Sequence, residues 1–130
     1  MKINTPVTDT EIDFPEHYNI LSTTNLKGAI TYCNDEFIEV SGFTNDELVG
    51  HNHNLVRHPD MPPAAFADLW RNLKRGTAWM GIVKNRCKDG SYYWVDAYVT
   101  PIRENGESIE YQSVRTKPER SIVRRAEAVY

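Results

Sequence analysis

Cysteine is nearly absent from this chain: Cys33 and Cys87 are the only two in 130 residues, and neither sits in a C-x-x-C pair. That excludes a disulfide scaffold and the cysteine zinc motifs, and it points to a reduced, cytoplasmic setting, with one Cys33–Cys87 bridge as the alternative. Long apolar runs are missing too. No stretch approaches the roughly 18 apolar residues of a membrane-spanning helix, and no signal peptide opens the chain. Basic charge is not in excess. The formal net charge is −3, from 15 Lys and Arg against 18 Asp and Glu, which argues against a nucleic-acid-binding face. There is no G-x-x-x-x-G-K-[ST], no G-x-G-x-x-G and no G-x-S-x-G, so the phosphate loop, the dinucleotide fingerprint and the nucleophile elbow are all missing. No segment repeats and strands do not alternate with helices, so a parallel sheet is not expected.

What is present suffices for one domain. Apolar residues make up 40% of the chain and charged residues 25%. Residues 1–19 are polar, carry Pro6 and Pro15 and show no periodicity; they read as an extended N-terminal cap. A strand over Ile20–Thr23, a turn at Asn25-Leu26-Lys27-Gly28 and a strand over Ala29–Cys33 make a hairpin. Asn34 is a good N-cap for a short helix that Gly42 stops, and Thr44 with Glu47 reads as a capping box for another, ended by Gly50. Pro62 and Pro63 open the longest helix, with Phe66, Leu69, Trp70 and Leu73 at i, i+3, i+4 and i+7 and Gly76 closing it. Three strands follow, Trp79–Arg86, Tyr92–Ile102 and Ile109–Thr116, separated by Lys88-Asp89-Gly90 and Glu104-Asn105-Gly106. Thr116 and Glu119 read as a capping box for a last helix, which reaches the chain end without a C-cap and is expected to continue in a longer protein. The expected fold class is α+β: one five-stranded antiparallel sheet with helices packed on one face. Residues 20–116 form the domain and 117–130 begin a connecting helix.

Alternation across the strands sorts the side chains. Trp79, Gly81, Val83 and Asn85 share one face; Met80, Ile82, Lys84 and Arg86 share the other, which its charged end marks as outward. Asn85 therefore points inward among apolar neighbours, where an amide without partners costs roughly 1–3 kcal/mol. Either a flat ligand edge, a backbone group or a water satisfies it, or it sits at the strand end and meets solvent. Tyr93, Val95, Ala97 and Val99 form the inner face of the next strand, and Ser113, flanked by Tyr111 and Arg115, lies on a face of the last. The outward set Met80, Ile82, Trp94 and Tyr98 forms an apolar patch suited to docking another domain or a second protomer.

The densest chemistry lies in His53-Asn54-Leu55-Val56-Arg57-His58-Pro59-Asp60-Met61-Pro62, a proline-bounded polar segment just before the amphipathic helix. His51, His53 and His58 invite a metal, but two His two apart in a loop, with no Cys, do not make a zinc site. A haem would have to take His58 from the loop, because the following helix holds no His. No nucleophile, base and orienting group assemble, so no enzyme is expected. Trp70 and Trp79 can stack on a planar ligand and Arg57 can pair a phosphate or oppose a carbonyl. The bland alternative makes Trp70 core and Arg57 part of a surface ion pair.

Asn34-Asp35-Glu36-Phe37, Ser41-Gly42-Phe43-Thr44, Glu47-Leu48-x-Gly50 and the sheet from Trp79 to Thr116 resemble a PAS domain. The block from His53 to Pro62, with Ala64-Ala65-Phe66-Ala67-Asp68-Leu69-Trp70, Trp79-x-Gly81-Ile82-Val83-Lys84-Asn85-Arg86 and Tyr93-Trp94-Val95, is similar to the N-terminal sensory PAS domain of bacterial aerotaxis receptors. That resemblance implies a PAS fold and noncovalent FAD as a redox sensor. It implies flavin-binding positions at Asn34, Arg57, His58, Asp60, Phe66, Trp70, Trp79, Asn85 and Tyr93. It also implies a HAMP and kinase-control module of the same receptor as partner, and a cytoplasmic domain of an inner-membrane-anchored chemotaxis protein that makes no membrane contact of its own. Blue-light LOV domains, which are similar, use a reactive Cys; none lies between Asn34 and Cys87, which favours redox sensing. A cofactor-free interaction module and a haem-binding gas sensor are the alternatives.

Overall fold

The computed structural model describes residues 6–130; of the expected N-terminal cap, residues 1–5 lie outside the described residues. Five strands, β1 (Ile20–Thr24), β2 (Ile30–Cys33), β3 (Trp79–Arg86), β4 (Tyr92–Glu104) and β5 (Glu107–Thr116), form one antiparallel sheet in the order β2-β1-β5-β4-β3. Helices α1 (Asp35–Ser41), α2 (Asn45–Leu48) and α3 (Pro63–Lys74), with a 3-10 turn at His53–Val56, fill the span between β2 and β3. The last helix, α4 (Arg120–Val129), follows β5.

Local sequence sets these elements. Asn34 Oδ1 accepts the Phe37 amide at the start of α1, and Gly42 ends that helix with φ 76°, a left-handed conformation that costs a glycine little. The capping box of α2 is complete, with Thr44 Oγ1 accepting the Glu47 amide and Glu47 reaching back to the Thr44 amide. The second expected capping box does not form. Thr116 stays paired to Asp96 in the sheet, and α4 begins past Pro118, with Glu119 as N-cap and no side-chain cap bond.

Phe37, Ile20, Leu48, Tyr93 and Val95 are fully buried in the core between helices and sheet, each apolar side chain worth about 1.5–3 kcal/mol on burial. Cys33 and Cys87 are both buried and free. Two outward assignments change. Arg86 is only 5% exposed, because its guanidinium turns under the loop to donate to the Leu55 and Cys87 carbonyls. Trp94 is covered too: Tyr130, at the end of α4, stacks on it at 6.3 Å and donates its hydroxyl to the Ile82 carbonyl of edge strand β3. Met80 and Tyr98 remain exposed. The N-terminal segment is tied down as well. Thr8 and Ile12 donate to Gly90 and Tyr92, and Arg120 of α4 clasps Glu11 bidentately at 2.7 Å. Among the described residues no helix is long and apolar enough to cross a membrane.

Candidate cofactor pocket

The sheet carries a floor of small side chains, and a cavity follows from it. In register across β3, β4, β5 and β1, Gly81 faces Ala97, Val99 faces Ser113 and Ser113 faces Ser22, all on the inner side. Opposite them stands α3, whose Phe66, Leu69, Trp70 and Leu73 form the expected apolar stripe. That stripe is a cavity wall rather than a filled core. The cavity holds about 130 Å3 and opens to solvent at its mouth. Its walls are mostly apolar.

Of the site residues expected from sequence, Arg57, Phe66, Trp70, Trp79 and Asn85 line this cavity together. Arg57 and Asn85 lie 28 positions apart, yet an antiparallel backbone bridge pairs them, so the loop after the 3-10 turn runs beside β3. The Arg57 guanidinium lies 4.0 Å over the Phe66 ring, and burial holds its pKa below the usual value. Trp79 is 8% exposed; its indole N–H donates to Asp68 Oδ2 on α3 at 2.9 Å, so the ring bridges strand and helix. Trp70 meets Tyr111 edge to face at 5.7 Å. Asn85 is 4% exposed, and its amide stands beside the side chain of Tyr93, its partner in the β3–β4 register.

The other four expected residues stand off the lining. Asn34 knots β1 to α1, its Oδ1 accepting the Leu21 and Phe37 amides and its Nδ2 donating to the Asn19 carbonyl. His58 is 2% exposed; its Nδ1 accepts the Asp60 amide at 3.0 Å, so the neutral ring carries its proton on Nε2. Burial, then Lys84, lowers its pKa. Asp60 is exposed and paired to Lys84 Nζ at 2.9 Å, and that hydrogen bond lowers its pKa. Met61 Sδ accepts the Lys84 amide, so Asp60 and Met61 together pin the loop to β3 one residue from Asn85. Tyr93 is fully buried behind the wall.

One cluster was not legible from residue types alone. Arg115, 3% exposed, reaches across the floor. Its Nη1 donates to Ser113 Oγ at 2.7 Å and to His53 Nε2 at 3.1 Å, and its Nη2 donates to Ser22 Oγ at 2.8 Å. Its plane sits 4.7 Å over Phe37. No carboxylate pairs with it among the described residues. Burial lowers its pKa to about 10, which leaves it charged at neutral pH. Strand alternation does place Tyr111, Ser113 and Arg115 on one face, but only the pairing of β5 with β1 shows that this face is the cavity floor.

His53 is the counterpart of that cation. Burial first, and the Arg115 charge second, push its pKa down to about 3, so it stays neutral and accepts from Arg115. Below its ordinary value of 6.5 the unfolded chain takes up a proton that the folded chain refuses. Stability is therefore expected to fall as the pH drops from 6.5 toward 3, by about 1.4 kcal/mol at pH 5.5 from this group alone. His58, lowered in the same sense, adds to it. Urea melts at pH 7.5 and 5.5 measure the loss, and His53→Gln should remove most of it; an undiminished slope in that variant would place the acid sensitivity elsewhere.

Comparison with known proteins agrees with this architecture. The blue-light photoreceptor Aureochrome1 LOV, in its light state, superimposes with a TM-score of 0.74 at 20% identity, covering 83% of this chain and 91% of that one, a likeness of fold. The aerotaxis receptor of Escherichia coli (strain K12) is 46% identical over 127 residues, 98% of this chain and 24% of the receptor. The nitrogen fixation regulatory protein of Klebsiella pneumoniae is 28% identical over 91 residues, 70% of this chain and 18% of that protein. The chain thus spans a quarter or less of these two relatives. A family model described as the PAS fold matches residues 30–115. With that match across four of the five strands and the helices that wall the cavity, the chain belongs to the PAS family.

Proposed function

We propose that this chain is the sensory domain of an aerotaxis-type receptor, binding FAD noncovalently and passing the state of the flavin to a signalling module of the same protein. One observation carries the reading: the Asn85 amide and the Arg115 guanidinium, each at least 95% buried, line the same apolar cavity, and no carboxylate pairs with Arg115 among the described residues. A flat heteroaromatic ring with donors and acceptors on its edge fits those groups, and the small floor of Gly81, Ala97 and Ser113 beneath α3 leaves it room. The similarity to the aerotaxis receptor of Escherichia coli supports the same choice.

When bound, the flavin supplies reversible electron uptake. The chain's own residues do the rest. Asn85 offers both a donor and an acceptor to the imide edge of the ring. Arg115 sets a fixed positive charge in a low-dielectric floor, which favours an electron-rich ring over an electron-poor one. Neutral His53 keeps Arg115 aimed across the floor. Phe66, Trp70 and Trp79 exclude water from the faces, and Arg57 stands in the lining where a phosphate or carbonyl can be met. Asn34, His58 and Asp60 act one step back by fixing the strand, loop and edge that carry these groups. The role is binding and signalling rather than turnover. Residues 20–116 form the sensor and 117–130 begin the connection to HAMP and kinase-control modules, with Met80 and Tyr98 left for a domain or a second protomer.

Purified chain, or chain reconstituted with FAD, should show oxidised-flavin absorption at about 370 and 450 nm, and mass analysis of the released cofactor should give FAD rather than FMN. Asn85→Ser should shift the spectrum and the redox response. Protein that stays colourless after reconstitution would remove the proposal, and a Soret band would replace the flavin by haem.

A further inference from the structure

Tyr93 is fully buried, is not part of the cavity lining, and carries a hydroxyl without a hydrogen bond of full geometry among the described residues. Native cores rarely leave a buried hydroxyl in that state without a reason. The sheet supplies one. Tyr93 pairs directly with Asn85 in the β3–β4 register, and both point to the inner side, so their side chains are cross-strand neighbours. Burial raises the phenol well above its usual pKa, while Arg115 and the Asn85 side chain draw it back, which places both pocket groups within electrostatic reach of the hydroxyl. On the other side the ring stands edge-on to Phe14, centroids 6.3 Å apart at 88°. Phe14 is 6% exposed and belongs to the N-terminal segment, which pairs through Glu11 with Tyr92, the residue next to Tyr93.

We propose that Tyr93 is a positioning residue that acts on the pocket through Asn85, its hydroxyl holding the amide from behind while Phe14 sets where the ring stands. A hydroxyl can donate to an amide oxygen or accept from an amide nitrogen. Whichever half of Asn85 faces Tyr93, the opposite half faces the cavity. The pair thus has two arrangements of similar cost, and a ligand that changes between donor and acceptor at its edge selects one of them. Each arrangement asks for a different position of the Tyr93 oxygen, and a shift of the ring changes its edge-to-face contact with Phe14. The N-terminal segment is thereby coupled to the pocket amide. The ligand-bound half of this inference rests on the flavin reading; the coupling of Tyr93, Asn85 and Phe14 does not.

Tyr93→Phe removes the hydroxyl and keeps the ring against Phe14. In flavin-free chain it should move the side-chain amide resonances of Asn85 and change the thermal midpoint by no more than one neutral hydrogen bond is worth. In flavin-loaded chain the ratio of affinities for oxidised and reduced flavin should change about two- to tenfold, the scale of one neutral hydrogen bond. Phe14→Leu should move the same resonances in the native background and have no further effect on them in the Tyr93→Phe background, a coupling that simple loss of packing does not produce. Asn85 resonances that stay in place in both single variants overturn the proposal, as does a Tyr93→Phe chain that is destabilised with Asn85 unmoved. Should the native chain take up no flavin, the functional reading fails while the resonances of the flavin-free chain still decide this one.

Discussion

Replacing Arg115 with methionine is expected to leave the flavin-free chain at least as stable as the native one and to weaken flavin binding about 10- to 100-fold. The two effects oppose each other for a physical reason. A guanidinium at 3% exposure has given up its hydration, and hydroxyls and a neutral imidazole compensate it only in part. Methionine fills a similar stem volume without that penalty. The groups left behind are not stranded either, since Ser22 and Ser113 face each other across β1 and β5 and Ser22 Oγ already lies 3.3 Å from His53 Nε2. Against this stands the ligand, whose electron-rich edge loses its only fully buried cation on the cavity floor. Urea denaturation of flavin-free protein and fluorescence titration with FAD measure the two halves separately. A loss of more than about 2 kcal/mol in the flavin-free melt, the scale of a broken buried network, would make Arg115 a structural keystone. Unchanged FAD affinity would take it out of the site. His53 gives a third readout: with the Arg115 charge gone, its pKa should rise, though burial keeps it below the usual value.

This cluster also shows where sequence reading stops. The strands, the α3 stripe and the inward side of Asn85 follow from periodicity, because alternation along one strand and spacing along one helix are local facts. The bridge from Arg57 to Asn85 has no local signature; two polar residues that both need partners only hint at it. Arg115 is harder still. Alternation puts it on one face with Tyr111 and Ser113, but that this face is the floor depends on β5 lying between β1 and β4, a pairing that sets Ser22 beside Ser113. Arg86 misleads for the same reason, since a loop 31 residues upstream folds over it and supplies the Leu55 carbonyl. Trp94 is covered by Tyr130 only after α4 turns back along β3, and nothing in the alternation of β4 anticipates that. The aromatic and amide members of the site were legible, while the charged floor was written in tertiary pairing.

Gly81→Ala tests that floor most sharply, and it is expected to cost both stability and binding. A Cβ at residue 81 would overlap Trp79 Cη2 and lie 2.6 Å from Trp79 Cζ2, far inside contact distance, so the indole must move. It cannot simply slide. Its N–H is anchored to Asp68 on α3, and its ring is 8% exposed between strand and helix. Either the Asp68 bond breaks and the ring swings into the cavity, or α3 lifts off the sheet. Overpacking of this kind costs about 1–3 kcal/mol. Because the displaced ring occupies the space above Ala97, the neighbour of Gly81 in register, flavin affinity should fall by at least about tenfold, the equivalent of 1.4 kcal/mol. The variant Asp68→Leu separates the two routes. With the anchor already gone the ring is free to turn outward, so adding Gly81→Ala should then cost less than it does in the native background, a non-additivity measurable in a double-mutant cycle. Thermal melts report the stability term, and quenching of tryptophan fluorescence on FAD addition reports the binding term. If Gly81→Ala binds FAD like the native chain, Trp79 does not wall the ligand site and the cavity is occupied from another side.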